Sequence, residues 1–373
     1  MPTRFILIGG FLGAGKTTAI ARLASICQAR GQHVAIVTND KAPELVDTLS
    51  LMAQGYPVAE LAGTCFCGNV DELTAAVDSL RLAAPPDVVF AEPVGSCIDM
   101  VATVIRPLSR QAGGVDTVAS YGVLLKPSHG IKILRGETAG GFSPKAAYLF
   151  RKQLEEADFI AINRVDQLRP DELAELKNLL ASRYPGKHVV AVSARSGEGF
   201  DELVRLLDAP PPADRATVEV DERQYAAGEA ELGWLNAGLI VTTDDPFKLD
   251  TVLLELVNDL RERLLALEVE AAHLKILGAW GGRSAVANLI SSELPGELSR
   301  PSELETSCAH LTVNARVACA PELIAQTVRS AVDQLAASRQ ARVEWQQFQS
   351  FRPGMPSRGP SVLDMSPPRK QGS

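Results

Sequence analysis

Short apolar runs alternate with longer stretches of helical composition through the first half of the chain. The runs Phe5–Ile8, Val34–Thr38, Val58–Leu61, Val88–Ala91, Tyr121–Leu125, Phe159–Asn163 and Val189–Ser193 are continuous rather than alternating, as strands buried on both faces are. Helical stretches such as Val70–Leu82, Pro144–Glu156 and Pro170–Tyr184 fall between them. This pattern predicts an α/β domain over residues 1–208, a parallel sheet flanked by helices.

The pattern changes after Pro210-Pro211-Pro212, which marks a stiff linker over 209–222. Beyond it, Gly233–Thr243, Ala272–Trp280, Ala285–Ser291 and His310–Ala318 read as strands, and Pro246–Leu265 and Pro321–Ala337 as helices. The order predicts a smaller α+β domain over 223–340, with helices on one face of an antiparallel sheet. His273 and Lys275 alternate with Leu274 and Ile276, which predicts a strand with one apolar and one solvated face. In the last segment, 341–373, Trp345, Phe348 and Phe351 are expected to dock on a domain surface. The Pro-, Gly-, Ser- and Arg-rich tail after them is expected to be disordered.

Composition narrows the class. Apolar residues make up 46% of the 373, enough for sizeable cores. The net charge of −8 argues against a nucleic-acid or membrane-surface binder, since both need a basic face. Six cysteines in a chain this long do not make a disulfide scaffold. The N-terminus runs into a strand rather than a signal peptide, and no apolar run has the length of a membrane span. A cytoplasmic protein with reduced thiols is the expectation.

The chemistry starts at Gly10-Phe11-Leu12-Gly13-Ala14-Gly15-Lys16-Thr17-Thr18, which fits the phosphate-binding pattern G-x-x-x-x-G-K-[ST]. A strand precedes it, and a helix from Thr17 to Ala29 follows and stops at Arg30-Gly31. Glycines let backbone N–H groups close round phosphate oxygens, and the helix N-terminus adds partial positive charge. Lys16 is expected to reach the β and γ phosphates and Thr17 to hold Mg²⁺.

Acids follow later strands at the edge where ligands bind in such sheets. Asn39 to Asp47 reads as a switch segment with Asp47 or Asp40 near Mg²⁺, or else as capping acids. Glu92, at the end of Val88–Ala91 and before Pro93-Val94-Gly95, is placed near the γ-phosphate. There it acts through the Mg²⁺ shell or positions the attacking water. Cys65 and Cys67 present two thiols on one side of an extended segment. Two are too few for a closed metal site, so further ligands would come from Cys97, a carboxylate, water or the same pair of a second subunit. The alternative is two unligated thiols in a loop. Residues 110–142, with Gly113-Gly114, a Pro127–Gly130 turn and Gly140-Gly141, read as a locally basic solvated loop carrying Lys126, Lys132 and Arg135, the alternatives being a loop over the nucleotide or a partner surface.

Asn163-Arg164-Val165-Asp166 matches Asn-Lys-x-Asp, the guanine-reading motif of GTPases, with Arg164 in place of Lys. An aspartate here accepts from guanine N1 and N2, a donor pair that adenine lacks. Ser193-Ala194 follows the next strand and resembles the loop whose backbone meets the guanine oxygen. The predicted nucleotide contacts are therefore Gly10, Gly13, Ala14, Gly15, Lys16, Thr17, Thr18, Asn163, Asp166, Ser193 and Ala194.

Taken together, these residues resemble CobW-type GTPases, relatives of the GTPases that help insert nickel into urease and hydrogenase. The resemblance covers the first domain and, more weakly, the second. It implies a Mg²⁺-dependent GTP hydrolase, with Mg²⁺ held by Thr17, Asp47 and Glu92 and catalysis served by Lys16, Glu92 and Asp47. It also implies a transition metal at Cys65 and Cys67, with zinc, cobalt and nickel all open, and delivery of metal or cofactor to a client metalloprotein or corrinoid protein. A homodimer is left open. The family's loop is Cys-x-Cys-Cys, and Gly68 stands here for the third cysteine. Slow turnover without a partner is expected, because no arginine finger is assignable. One rival, which Gly68 favours, is a metal-free GTPase acting as chaperone or gate for a cobalamin enzyme. A P-loop kinase is the other, and Asp166 argues against it.

Overall fold

Along β1 (Arg4–Gly10) successive side chains enter opposite layers. Phe5 and Leu7 join one core, while Ile6 and Ile8 join another with Ile20 and Leu23 of α1 (Lys16–Ala29). The computed structural model describes residues 3–352 except 41–44, 64, 112–116, 137–142, 270, 290–291 and 293.

The first sheet continues through β2 (Val34–Asp40), β3 (Val58–Ala62), β4 (Val88–Glu92), β5 (Thr117–Val118), β6 (Gly122–Leu125), β7 (Phe159–Ile162) and β8 (His188–Ala191). All its pairings are parallel, in the order β3-β2-β4-β1-β6-β7-β8, with short β5 beside the start of β1. The connecting helices are α2 (Val46–Met52), α3 (Val70–Ala83), α4 (Arg106–Gln111), α5 (Pro127–Arg135), α6 (Pro144–Glu156), α7 (Pro170–Arg183) and α8 (Phe200–Asp208). Leu203 and Leu207 of α8 share the face with α1, while Leu73, Phe150 and Leu176, from α3, α6 and α7, cover the other. Parallel strands deliver all their C-terminal ends to one edge, where Gly10, Asp40, Glu92, Asn163 and Ser193 emerge.

Within 110–142, β6 stands where a strand was expected over Tyr121–Leu125, but the part read as a solvated loop after it is helix α5, with Pro127–Gly130 as its first turn. Lys126 and His129 are buried and lie 2.9 Å apart between Nζ and Nε2. Gly113-Gly114 and Gly140-Gly141 fall outside the described residues.

After α8 the chain runs along the first domain. Arg215 Nε lies 3.1 Å from Asp158 Oδ2, and Arg215 Nη2 donates to the Ala119 carbonyl oxygen at 2.7 Å. Asp221 caps α9 (Glu222–Glu229) by accepting from the amides of Arg223 and Gln224. Tyr225 of this helix is buried in the first domain's core.

The second domain consists of β9 (Gly233–Lys248), α10 (Leu249–Ala266), β10 (Ala271–Trp280), β11 (Arg283–Leu289), β12 (Glu297–Arg300), β13 (Glu305–Val317), α11 (Pro321–Arg339) and β14 (Arg342–Phe351). Its sheet is antiparallel, ordered β12-β11-β10-β13-β9-β14. Leu253 and Leu256 of α10 and Val328 and Val332 of α11 cover one face. Two strands exceed the sequence expectation. The aromatic segment forms edge strand β14, with Trp345 and Phe348 in edge contact under the Arg329 guanidinium. The strand β9 runs on through Pro246, so the following helix starts at Leu249. Residues 353–373, the tail expected to be disordered, lie outside the described ones. Among the described residues no helix is long and apolar enough to cross a membrane.

The other face of this sheet is not solvated, contrary to the alternation at His273 and Lys275. It is pressed on the strand ends of the first domain: Leu277 and Val286 pack on Val46, and His273 and Lys275 are half-buried beside them.

Candidate functional site

The phosphate loop closes with Gly15 at φ 88°, in the left-handed region that favours glycine. A Cβ there would also come within 2.4 Å of Asn163 Nδ2. Lys16 Nζ donates back to the Gly10 carbonyl oxygen at 3.1 Å and lies 4.0 Å from Glu92 Oε1. Thr17 Oγ1 donates to the same Oε1 at 3.0 Å. Thr18 is exposed beside the Asn163–Asp166 turn.

The acids expected at the phosphate end converge there. Asp47 lies in the first turn of α2, and Asp47 and Glu92 line one cleft with Lys16 and Thr17. Burial, then the Asp47 carboxylate, push the Glu92 carboxyl up to about 7, against Lys16, Lys275 and the Thr17 hydrogen bond. Burial opposes ionisation of Asp47. The charges of Lys275 and His273 and hydrogen bonds from Lys275 and Thr17 overcome it and hold that carboxyl well below the usual carboxylate range. Glu92 Oε2 is buried with no hydrogen-bond partner. An oxygen left in this state costs free energy unless a cation or water meets it. With the Thr17 hydroxyl and the Asp47 carboxylate alongside, the donor set is all oxygen and suits Mg²⁺.

At the other end of the loop, Asn163 is 1% exposed and ties three segments together. Its Nδ2 donates to the Ala14 carbonyl oxygen at 2.8 Å, and its Oδ1 accepts from the amides of Arg164 at 2.8 Å and Ala194 at 2.9 Å. Ser193 is fully buried, and its Oγ accepts from the Ser196 amide at 3.0 Å. Asp166 stands exposed at the mouth of a second cleft shared with Asn163, Arg164 and Arg195. The phosphate and base clefts adjoin, since both are lined by Gly15, Thr18 and Arg164.

The second domain covers both clefts. Arg316 Nη2 donates to Asp40 Oδ2 at 2.8 Å, and Lys275 pairs with Asp47. Over the base cleft, Glu297 Oε1 lies 3.5 Å from Arg164 Nη1, and Oε2 accepts from Arg195 Nη1 at 3.4 Å.

Three thiols meet on the other side of the strand ends. Cys65, Cys67 and Cys97 are buried, with their sulfurs all within 4.8 Å of one another. Cys65 and Cys97 sulfurs are 2.7 Å apart. The two loop cysteines converge through a turn rather than an extended segment: the Gly68 amide donates to the Cys65 carbonyl oxygen at 2.8 Å. Cys97 arrives from the turn after Glu92. Hydrogen bonding among these thiols and their burial raise the Cys65 and Cys97 thiols well above the ordinary range, as is expected of neighbours that cannot all ionise without a cation.

The sequence model of the CobW/HypB/UreG nucleotide-binding domain matches residues 4–191, half of the chain. The chain belongs to this family. Among curated proteins, the Zinc chaperone CobW of Pseudomonas aeruginosa is 27% identical over 223 residues, 52% of this chain and 56% of that protein's length. The Urease accessory protein UreG 2 of Methylobacterium radiotolerans is 30% identical over 212 residues, 54% of this chain and 89% of that protein. HypB from Helicobacter pylori, solved in complex with nickel, superposes with a TM-score of 0.41 at 17% identity, covering 55% of this chain and 85% of that one.

The parts of the site least legible in the sequence are the third thiol and the charged side chains of the second domain. Cys97 was a candidate only among several alternatives, and its distance in sequence from the Cys65 loop hides the cluster. Lys275, Arg316 and Glu297 carry no motif at all.

Proposed function

We propose that this chain is a Mg²⁺-dependent GTP hydrolase whose nucleotide state controls a three-thiol site that holds a transition metal ion for transfer to a client protein. The observation that carries this is Asn39. It ends β2 next to Asp40, and its Oδ1 accepts from the Phe66 amide at 3.0 Å, between Cys65 and Cys67. Its Nδ2 donates to the Leu61 carbonyl oxygen at 3.0 Å. The thiol turn is thus fastened to the segment that carries the phosphate-side acids.

In this scheme the phosphate loop and Lys16 bind the triphosphate, and Asn163 and Asp166 orient and select guanine. Thr17, Asp47 and Glu92 would hold Mg²⁺, which supplies charge neutralisation of the β and γ phosphates. Glu92 Oε2, which has no hydrogen-bond partner, orients the water that attacks the γ-phosphorus, giving GDP and phosphate. Cys65, Cys67 and Cys97 would bind the cargo ion as thiolates, with one coordination position left for the exchange partner. The likeness to the Zinc chaperone CobW supports metal as the cargo class.

The test is titration of reduced protein with Zn²⁺, Co²⁺ and Ni²⁺ in the presence of GTPγS and of GDP, beside a Cys65→Ser/Cys67→Ser variant. Affinity that differs between the two nucleotides and is lost in the variant is the expected result. No stoichiometric metal, with GTP turnover intact, would replace this scheme by a metal-free GTPase that regulates a client.

A further inference from the structure

The polar face of β10 delivers a cation into the phosphate cleft from the opposite domain. Lys275 pairs with Asp47, and the two side chains are only 20% and 19% exposed. The adjoining rungs place Asn288 and Asn314 on either side of Lys275. Asn314 Oδ1 accepts from the Val46 amide at 2.6 Å, so the second domain grips the two consecutive residues that open α2. The start of β10 also lies close over the phosphate loop. A Cβ on Gly13 would approach the Ala272 carbonyl oxygen to 3.1 Å. Lys275 therefore lines the same cleft as Lys16, Thr17, Glu92 and Gly95.

We propose that Lys275 senses the terminal phosphate on behalf of the second domain: its ammonium rests on Asp47 in the empty protein and turns to the γ-phosphate when Mg²⁺·GTP takes Asp47 over. This rests on the assignment of the cleft to Mg²⁺ and GTP. The reason is electrostatic. Asp47 is the carboxylate both cations would use, and a magnesium ion brought against it repels an ammonium already there. The cleft offers the displaced ammonium a γ-phosphate when GTP is bound; when GDP is bound it offers only the Glu92 carboxyl, which Thr17 and Lys16 already engage. A cation supplied in cis to a transferring phosphoryl group is an established way to stabilise its charge. Because Lys275 and Asn314 sit on neighbouring strands of one rigid sheet, the swap changes the grip of the whole second domain on α2.

The experiment compares affinities for fluorescent GTPγS and fluorescent GDP in excess Mg²⁺, for wild type, Lys275→Gln and Lys275→Arg. In Lys275→Gln, GTPγS is expected to bind about 10- to 100-fold more weakly, with GDP changed by less than about 2-fold. Unchanged GDP binding also shows that the nucleotide site is folded. Lys275→Arg, which keeps the charge, is expected to keep the preference for GTPγS, and Lys275→Met, read by the same criteria, replaces the Gln variant if that one unfolds. Equal losses for both nucleotides, no change, or tighter GTPγS binding in Lys275→Gln would overturn the proposal. Tighter binding would mean that Lys275 merely competes with Mg²⁺ for Asp47. If wild type binds neither nucleotide, the assignment of the cleft fails with it; if wild type prefers GTPγS and Lys275→Gln does too, only the sensor fails.

Discussion

Asn163 Nδ2 donates to the Ala14 carbonyl oxygen at 2.8 Å and so bolts the Asn163–Asp166 turn to the phosphate loop. The same side chain accepts from Arg164 and Ala194, which makes it the common support of three loops from distant parts of the first domain.

Replacing Asn163 by alanine takes one hydrogen bond from the Ala14 carbonyl and one from each of the Arg164 and Ala194 amides. Unfolding of the nucleotide-free protein in urea is expected to show a loss of about 2–4 kcal/mol. A loss well below about 1 kcal/mol would mean that water replaces the amide there.

Asp166→Asn exchanges one acceptor oxygen for a donor at the mouth of the base cleft. Guanine presents two donors to this position, and xanthine presents an oxygen in place of the second. GTP affinity is expected to fall by about 100-fold or more, with xanthosine triphosphate becoming the better ligand. Competition binding with the two triphosphates decides it; an unchanged order of preference removes Asp166 from base recognition.

Arg316 is 2% exposed, pairs with Asp40 across the domain boundary, and stacks 4.1 Å over the Trp234 ring. Its Nη1 also donates to Asn236 Oδ1 at 2.8 Å. Arg316→Met keeps the bulk but removes the ion pair with Asp40 and the hydrogen bond to Asn236, so destabilisation of about 3 kcal/mol is expected in chemical unfolding. The charge-conserving Arg316→Lys should recover only part of this, because the planar stack and the fork of donors are lost.

Glu92 makes stability depend on pH in a direction opposite to most carboxylates. In the unfolded chain its carboxyl ionises near 4.5, and in the folded protein near 7. The folded state therefore holds the proton more tightly. Its contribution is complete below the unfolded value and disappears as pH rises through the folded one, a swing of about 3 kcal/mol. In nucleotide-free, chelated protein, the difference in unfolding free energy between Glu92→Gln and wild type should move in the variant's favour by this amount from about pH 5 to about pH 8. A difference that stays constant with pH would remove the burial effect from Glu92.

Cys97 is expected to matter to Co²⁺ binding as much as the two loop cysteines. Cys97→Ser should weaken affinity to the same degree as Cys65→Ser and reduce the thiolate-to-metal charge-transfer absorbance in step with the loss of one of three sulfurs. A Cys97→Ser protein with wild-type absorbance would confine the site to the loop.

The first domain and its nucleotide edge were legible because their signals are local. The glycines and Lys16 of the phosphate loop, and Asn163 with Asp166, each sit within one turn that a short pattern captures. His273 and Lys275 were misread for the opposite reason. A strand that alternates apolar and polar looks the same whether its polar face meets water or another domain, and Asp47 lies 228 residues from Lys275. Edge strand β14 escaped because its polar residues face outward at the rim of a sheet, where charge and Gln are the usual guard against further pairing. The thiol cluster was half legible: Cys65 and Cys67 share a loop, but only the fold brings the turn after Glu92 to them.

The docked segment between the domains has a kinetic consequence. Arg215 and Tyr225 fasten it to the first domain, and the short join from Ala230 to Leu232 between α9 and β9 is held there too, by Leu232 in that core and Glu231 beside Ser143 and Lys145. A tether this short keeps the second domain at a local concentration in the millimolar range or above. Contacts such as Glu297 with Arg164, too weak to hold two separate molecules together, then suffice to keep the lid shut. Opening becomes a first-order event, and the residence time of a bound nucleotide should be the same in dilute and in concentrated protein.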